Sequence, residues 1–212
     1  MERVIDKINT TKKEKEVVQA QFEALRNQLN PHFFFNSLNS LSSLIYKDAQ
    51  LSDKFINRFS EIFRYSLEKK DSNYSTLRDE LKFIEAYMFL QKTRHGANLL
   101  YKHNIHLRHL DQLIPALSLQ IIIENAFKHN AISTNQPLEI ELSIKDDFLE
   151  VSNTYNPRSH QKVSGLMGQK NLKNRYMLVG NQLPKFYVEE GFYYANLPLL
   201  NPTIEKSRLN IS

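Results

Sequence analysis

The chain opens on a polar stretch in which apolar side chains recur every three or four residues. Val18, Phe22, Leu25 and Leu29 follow this spacing, which gives a helix one narrow apolar stripe of the kind found in two-stranded coiled coils. Such a stripe is too narrow to be buried within a monomer. The pattern therefore predicts a coiled-coil helix over residues 1–30, and we expect a second copy of the chain to supply the partner helix.

Two apolar helical patterns follow, separated by a short polar turn. Residues 32–46 and 52–69 both carry apolar side chains along one side of a helix, and Lys47–Gln50 between them is mainly polar. Two helices joined by so short a turn pack as an antiparallel hairpin. We expect residues 31–70 to form a dimerising hairpin, and two hairpins to form a four-helix bundle in a homodimer.

The rest of the chain mixes helical and strand patterns. Thr76 has Asp79 three residues on, as at a capped helix start, and that helix is predicted to end at Gly96. Further strands are predicted at 99–108, 138–144, 148–151, 185–189 and 192–198, and further helices at 114–129 and 169–178. Helices first and a sheet-and-helix portion afterwards indicate an α+β fold. We expect an α/β sandwich over residues 71–200 and a tail over 201–212.

Composition narrows the possible functions. The chain has 212 residues, of which 41% are hydrophobic, and no cysteine, so it can bury a core but cannot hold a disulfide or a thiolate site. The net charge of +5 is compatible with anionic partners, but solubility alone would also explain it. Direct nucleic-acid binding is disfavoured, because no groove-reading motif accompanies the charge.

A candidate nucleophile stands at the start of the first hairpin helix. His32 follows Pro31 directly, and Asn36 and Asn39 lie four and seven residues further on, on the same helix face. An imidazole has an unperturbed pKa of about 6.5, so much of it is neutral near pH 7 and able to accept a phosphoryl group. The alternative is an ordinary surface or capping histidine.

A second polar cluster ends the apolar helix predicted over residues 114–129. Glu124, Asn125, Lys128 and His129 occur at positions i, i+1, i+4 and i+5, so they share one side of that helix. The alternative is an ordinary helix end, where the helix dipole favours Lys and His in any case.

These two segments resemble the LytS/YehU-type sensor histidine kinases. Gln28–Asn39 resembles the phosphoacceptor box of that family, which reads Gln-hydrophobic-Asn-Pro-His-Phe-hydrophobic-Phe-Asn. Pro115–Asn130 resembles its asparagine box, in which an apolar run leads to Glu-Asn-Ala-x-Lys-His. The boxes occur in the same order as in the family, and the resemblance extends from about residue 19 to residue 199.

The glycine boxes of this family are only partly present. Where the family has an Asp-x-Gly pair after a strand, this chain has Asn153 and no glycine. The residues of the next box that align with the family are Gly168, Asn171 and Arg175. In that box Gly165 is displaced by one residue and Gln169 replaces a leucine. Because glycine lets backbone N–H groups approach phosphates closely, these departures imply a weakened or reshaped nucleotide site.

The resemblance implies a GHKL-type ATP-binding domain and a protein-histidine kinase that phosphorylates itself. His32 would attack the γ-phosphorus of ATP and later pass the phosphoryl group to the receiver domain of a response regulator. Asn125 would hold Mg²⁺ through its carbonyl oxygen, and Glu124 would either orient water or act as the general base. The other ATP-binding residues that the resemblance implies are Lys128, His129, Asn153, Gly165, Gly168, Asn171 and Arg175.

The incomplete glycine boxes leave an alternative open, in which the chain is a catalytically impaired pseudokinase that serves as a dimeric signalling scaffold. ATP binding separates the two interpretations, because a scaffold of this kind would bind no nucleotide even at millimolar concentration.

The chain is expected to be the cytoplasmic portion of an inner-membrane protein. No apolar run approaches the roughly 18–20 residues that span a bilayer, and the basic residues Lys12, Lys13 and Lys15 suit a position just below a membrane. We therefore expect contact with the membrane only through an upstream sensor segment absent from this chain.

Overall fold

The computed structural model describes residues 31–158, 165–179 and 182–201. The coiled-coil helix predicted over residues 1–30 lies outside the described residues, as does the tail predicted over 201–212 apart from its first residue. Among the described residues, no helix is both long enough and apolar enough to cross a membrane.

The chain divides into two compact units, of which the first is residues 1–52. This unit contains α1 (Pro31–Ile45) and the first turn of α2 (Ala49–Glu68). Asp48 caps α2, because its Oδ1 accepts a hydrogen bond from the backbone N–H of Leu51 at 2.9 Å. Both predicted helices are confirmed to within three residues at each end. The antiparallel hairpin, the four-helix bundle and a domain boundary near residue 70 stay predictions.

The second unit, residues 53–212, holds the remainder of α2 and all later elements. In chain order these are β1 (Tyr74–Thr76), α3 (Leu77–His95), β2 (Leu99–Asn104), β3 (Leu113–Pro115), α4 (Ser118–His129), β4 (Leu138–Lys145), β5 (Phe148–Thr154), α5 (Gly165–Val179), β6 (Lys185–Glu189) and β7 (Phe192–Pro198). A five-stranded sheet has the order β2-β4-β5-β7-β6, in which only β2 and β4 are parallel. The predicted α+β class, with helices first and a mixed sheet afterwards, is confirmed.

Two tight turns close the antiparallel strand pairs where the sequence predicts them. Asp146 and Asp147, between β4 and β5, have φ values of 46° and 62°, and Glu190 and Gly191, between β6 and β7, have 48° and 80°. A two-residue turn with both φ values positive matches the right-handed twist of the strands that it joins. These turns set the register of both hairpins.

One face of the sheet carries the core. Leu138, Ile140 and Leu142 of β4 are at most 1% exposed, as is Val151 of β5. Val151 stands opposite Leu142, and Asn153 stands opposite Ile140, so all five side chains lie on the same face. Burying each aliphatic side chain stabilises the fold by about 1.5–3 kcal/mol. The predicted site residue Asn153 therefore lies on the packed face of the sheet.

Helix α3 begins and ends as its sequence predicts. The Thr76 Oγ1 accepts a hydrogen bond from the backbone N–H of Asp79 at 3.1 Å. Gly96, with φ of 56°, ends the helix and donates its N–H to the carbonyl oxygen of Lys92. A positive φ is available to glycine at little cost, which explains why the helix ends there.

Replacing Thr76 by Ala is expected to lower the free energy of unfolding by about 1 kcal/mol, because an N–H group in the first turn loses its acceptor. Thr93→Ala is the matched control. The Thr93 hydroxyl donates to the Phe89 carbonyl oxygen at 2.9 Å within the same helix but caps no free N–H group, so we expect a change below about 0.5 kcal/mol. Urea unfolding measures both variants, and equal losses would contradict the capping role.

Helix α4 begins later than the pattern suggests. The sequence predicts a helix from about Ile114, whereas Leu113–Pro115 forms β3 and pairs antiparallel with β1. Leu117 then takes a left-handed φ of 63°, and the helix begins at Ser118. The backbone of this segment is therefore used for a strand pair and a sharp turn before the helix starts.

Other boundaries also differ from those predicted. Helix α5 begins at Gly165 rather than near Gln169, so both glycines of the last box are helical. The strand predicted over residues 99–108 ends at Asn104, and β5 continues to Thr154. The longer β5 brings Asn153 into the sheet, where it is held by strand pairing.

Candidate active site

Asn125 of α4 lies directly against Gly168 in the first turn of α5. A Cβ atom placed on Gly168 would be 2.4 Å from Asn125 Nδ2 and 3.1 Å from both Cγ and Oδ1. Only glycine at position 168 therefore leaves room for the Asn125 side chain where it lies. The structure brings together one residue from the predicted asparagine box and one from the predicted glycine box.

The residue after Gly168 joins α5 to the sheet. Gln169 Nε2 donates a hydrogen bond to the Tyr193 hydroxyl at 3.2 Å, and burial raises the pKa of Tyr193 to about 12. Tyr193 stands opposite Asn153 across the β5–β7 pair, so the two side chains are neighbours on one face. Successive neighbours thus lead from the asparagine box through the first turn of α5 to Asn153.

Asn153 is the residue that the family resemblance aligns with an aspartate. Its side chain is 3% exposed, and Nδ2 donates to the carbonyl oxygen of Thr154 at 2.7 Å. An amide oxygen can accept a hydrogen bond from an adenine amino group, as a carboxylate does, but it carries no negative charge. A neutral acceptor here predicts weaker adenine recognition than an aspartate would give.

Glu124 is oriented by a neighbour on its own helix. Gln120 Nε2 donates to Glu124 Oε1 at 2.9 Å, one turn earlier on α4. The pKa of Tyr87 on α3 is raised by burial and additionally by the Glu124 charge, which places the carboxylate close to that ring. The hydrogen bond from Gln120 restrains the carboxylate, and a general base must be positioned within reach of the proton that it accepts.

Lys128 and His129 lie at the end of α4, where the loop after β5 is fastened to the helix. Lys128 is exposed and His129 is half-buried. The backbone N–H of Arg158 donates to the carbonyl oxygen of His129 at 3.0 Å. Asn130 Oδ1 accepts from the backbone N–H of Asn156 at 2.7 Å. The loop therefore fixes the helix end at which both predicted phosphate ligands lie.

The remaining predicted ATP ligands lie on α5. Arg175 Nη1 donates to the carbonyl oxygen of Ala116 at 2.9 Å, just before α4 begins. This bond places the Arg175 side chain near the start of α4. Its partner Ala116 precedes Asn125 by nine residues in the chain. Asn171 is exposed, and Gly165 is the first residue of α5. Nucleotide contacts for these three residues stay predictions.

A buried carboxylate without a role predicted from the sequence lies at the start of α4. Glu80 is 0% exposed. Its Oε1 accepts from the backbone N–H of Leu117 at 2.7 Å, and its Oε2 accepts from that of Leu119 at 2.9 Å. The Tyr65 hydroxyl also donates to Oε1. Burial raises the pKa of Glu80 to about 7, although these hydrogen bonds and the nearby Lys69 ammonium act to lower it.

Glu80 is expected to make the stability of the chain depend on pH. Its folded pKa of about 7 exceeds the ordinary 4.5, so the folded state retains a proton that the unfolded chain releases. The stabilising contribution is therefore complete below about pH 4.5 and is lost as the pH rises to about 7, a decrease on the order of 3 kcal/mol.

Urea unfolding of the wild type and of Glu80→Gln measures this contribution, since glutamine does not titrate. The difference in free energy of unfolding, wild type minus variant, should fall by about 2–3 kcal/mol between about pH 5 and about pH 8. The same comparison with Glu85→Gln, an exposed position on α3, should stay nearly constant. A constant difference for Glu80→Gln would show that this carboxyl does not hold its proton on folding.

His32 belongs to the first unit and is the second residue of α1. Asn36 and Asn39 follow it one and two turns later on that helix, half-buried and exposed respectively. The predicted place of His32 at the start of a helix is confirmed, whereas its reaction with a nucleotide stays a prediction.

No group of three or more His, Cys, Asp or Glu side chains that could hold a metal ion occurs in the part of the chain that the structure describes. Mg²⁺ at a nucleotide site needs few protein ligands, because phosphate and water supply the rest. Asn125, whose amide nitrogen lies nearest to Gly168, offers one such oxygen, Oδ1.

Comparison with known proteins gives concordant results. Residues 20–99 match the family described as histidine kinase. Sensor protein LytS of Staphylococcus epidermidis is 34% identical over 139 residues, which cover 63% of this chain and 23% of that protein. Sensor histidine kinase/phosphatase LytS of Staphylococcus aureus is 31% identical over 125 residues, covering 59% of this chain and 21% of that protein.

A solved structure is also similar. The histidine kinase AdeS of Acinetobacter baumannii aligns with a TM-score of 0.43 and 7% identity, over 79% of this chain and 94% of that one. The match to the LytS proteins spans less than a quarter of their length. The family match and the relatives nevertheless agree with the motifs: residues 20–99 belong to the histidine kinase family, and the chain is a relative of the LytS sensor histidine kinases.

Proposed function

We propose that this chain is the catalytic core of a sensor histidine kinase that phosphorylates itself on His32 and passes the phosphoryl group to a response regulator. The observation that supports this most directly is the contact between Asn125 and Gly168, because it joins the asparagine box and the glycine box into one site.

The second unit would bind ATP along the neighbouring residues that connect Asn125 to Asn153. Asn153 would accept a hydrogen bond from the adenine amino group, and Lys128 and His129 would donate to phosphate oxygens. Mg²⁺, when bound, neutralises charge on the phosphate oxygens, and Asn125 Oδ1 is the atom that would hold it. Gly165, Gly168, Asn171 and Arg175 belong to the same proposed site.

The proposed phosphoryl transfer is an exchange of one bond to phosphorus for another. A nitrogen of the His32 imidazole forms a bond to the γ-phosphorus as the bond to the bridging oxygen of ADP breaks. Phe33 follows His32, so the adjacent residue offers no carboxylate as a base. Glu124, oriented by Gln120, would accept the imidazole proton.

Two partners belong to the same proposal. The receiver domain of a response regulator would take the phosphoryl group onto an aspartate, which breaks the nitrogen–phosphorus bond and forms an acyl phosphate. A second copy of the chain would complete the predicted four-helix bundle, and the assembly would operate on the cytoplasmic side of a membrane.

Incubation of the full chain with γ-labelled ATP and Mg²⁺ tests this function. The expected product carries label that is lost in acid and kept in base, as phosphohistidine requires. Calorimetry with ATP, with and without Mg²⁺, separates the pseudokinase alternative: binding without label would indicate an inactive relative, and no heat at millimolar nucleotide would indicate a scaffold. Either of these results would overturn the kinase proposal.

A further inference from the structure

Helix α4 starts without a capping side chain of its own. Leu117 occupies the N-cap position with a φ of 63° and makes no side-chain cap hydrogen bond. The first N–H groups of a helix have no acceptor within it, and a leucine in the left-handed region is disfavoured by about 1–2 kcal/mol. The first N–H groups of α4 therefore need hydrogen-bond acceptors from outside the helix.

Glu80 supplies that support from α3. Each of its carboxylate oxygens accepts one backbone N–H group at the start of α4, from Leu117 and from Leu119. A carboxylate at this end also meets the positive end of the helix dipole. Glu80 thus takes the part that a Ser, Asp or Asn side chain at the N-cap usually takes.

The start of α4 is fastened on a second side by α5. Arg175 binds the carbonyl oxygen of Ala116, and α5 also carries Gly168, against which Asn125 lies. The helix α4 has 12 residues, and we treat it as one rigid body. A change in its tilt would therefore open or close the contact between Asn125 and Gly168.

We infer that Glu80 is a positioning residue of the nucleotide site, because its hold on the first turn of α4 sets where Asn125 lies against Gly168. The consequence for nucleotide binding rests on the proposed function, whereas the hold on α4 does not.

The charge on Glu80 decides how firmly it holds the helix. The ionised carboxylate accepts from both amides, and protonation turns one oxygen into a hydroxyl, which is a poorer acceptor. The titratable groups that face it are Tyr65 and Lys69 of α2 and Tyr176 of α5, and Asp79 on its own helix acts on Tyr65. Within the folded state the two hydrogen bonds to α4 should therefore be strongest above the pKa of Glu80, about 7, although burying the charge lowers the stability of the fold as a whole.

The test compares Glu80→Gln with the wild-type chain by two measurements. Glutamine keeps the shape but presents an NH₂ group to one of the two amides, so amide hydrogen exchange at residues 116–126 should be about tenfold faster. Calorimetry should show binding of the ATP analogue AMP-PNP with Mg²⁺ about tenfold weaker at pH 8, with a smaller difference at pH 6. Glu85→Gln, an exposed position of α3, is the matched control and should alter neither.

Each outcome decides a different point. Unchanged exchange in Glu80→Gln overturns the inference, and so does faster exchange with nucleotide affinity equal to the wild type at every pH. If Glu80→Gln exchanges faster but the wild type binds no nucleotide, the hold of Glu80 on α4 is supported and the proposed function is overturned.

Tyr65→Phe provides a second variant should Glu80→Gln fail to fold. It removes the hydroxyl that donates to Glu80 Oε1 and leaves α4 untouched. Because that hydrogen bond favours the charged carboxylate, the pH midpoint of AMP-PNP affinity should move upward. A midpoint that stays in place would contradict the role given to Glu80.

Discussion

The His32→Gln variant is expected to incorporate no acid-labile phosphate, a loss of at least about a hundredfold relative to the wild type. Glutamine has no ring nitrogen that can form a bond to phosphorus, and removal of the nucleophile in covalent catalysis leaves only background reaction. The measurement is label retained after incubation with γ-labelled ATP and Mg²⁺, followed by acid and by base treatment.

Two controls test whether the loss of label is specific to the phosphoacceptor His32. His103→Gln changes the same residue type at an exposed position of β2 and should retain full labelling. His32→Gln should bind AMP-PNP as the wild type does, because the residues proposed to hold the nucleotide belong to the second unit and His32 to the first. Acid-labile label that persists in His32→Gln would move the phosphoacceptor to another histidine.

Local signals explain why so much of the fold was predictable. Helix α3 is bounded by Thr76 and Gly96, and each acts through its own backbone neighbours. The β6–β7 hairpin follows from strand alternation around Glu190 and Gly191. Such features need no knowledge of distant residues, so a single sequence contains them.

The start of α4 was not predictable for the opposite reason. The pairing of β3 with β1 joins segments about 40 residues apart in the sequence, and the left-handed Leu117 follows from that pairing and from Glu80. A periodic apolar pattern cannot distinguish a short buried strand from the first turn of a buried helix.

The sequence does contain a signal for the buried Glu80. It lies three residues after Leu77 and four before Ile84, both of which are fully buried on α3. A glutamate on the apolar stripe of a helix indicates a buried carboxylate that needs donors. The sequence could not name those donors, because they are backbone groups of α4.

The site was predicted in its parts but not in its connections. The motifs predict Asn125 and Gly168 separately as site residues, and the structure shows these two residues in contact. In its motif Gln169 is only a departure from the family pattern, yet in the structure it joins α5 to Tyr193. Tyr193 had no motif at all, since its place opposite Asn153 depends on strand register.

Gly168→Ala is expected to lower autophosphorylation about a hundredfold, because the new methyl group would overlap the Asn125 amide and force it to move. A Cβ at 2.4 Å from Nδ2 leaves no alternative to displacement, and a shift of about 1 Å in a catalytic group can cost about a hundredfold in rate. Label incorporation measures the loss, and AMP-PNP binding in the presence of Mg²⁺ shows whether nucleotide affinity falls with it.

A double-mutant cycle on stability tests the contact without reference to activity. Within a helix, Gly→Ala ordinarily stabilises by about 0.5–1 kcal/mol. That gain should appear for Gly168→Ala in an Asn125→Ala background, where the obstructing amide is gone, and should vanish or reverse in the wild type. Asn174→Ala, at an exposed position of α5, should have the same effect in both backgrounds. Equal gains for Gly168→Ala in both would mean that Asn125 does not lie against Gly168, and the joined site would lose its main support.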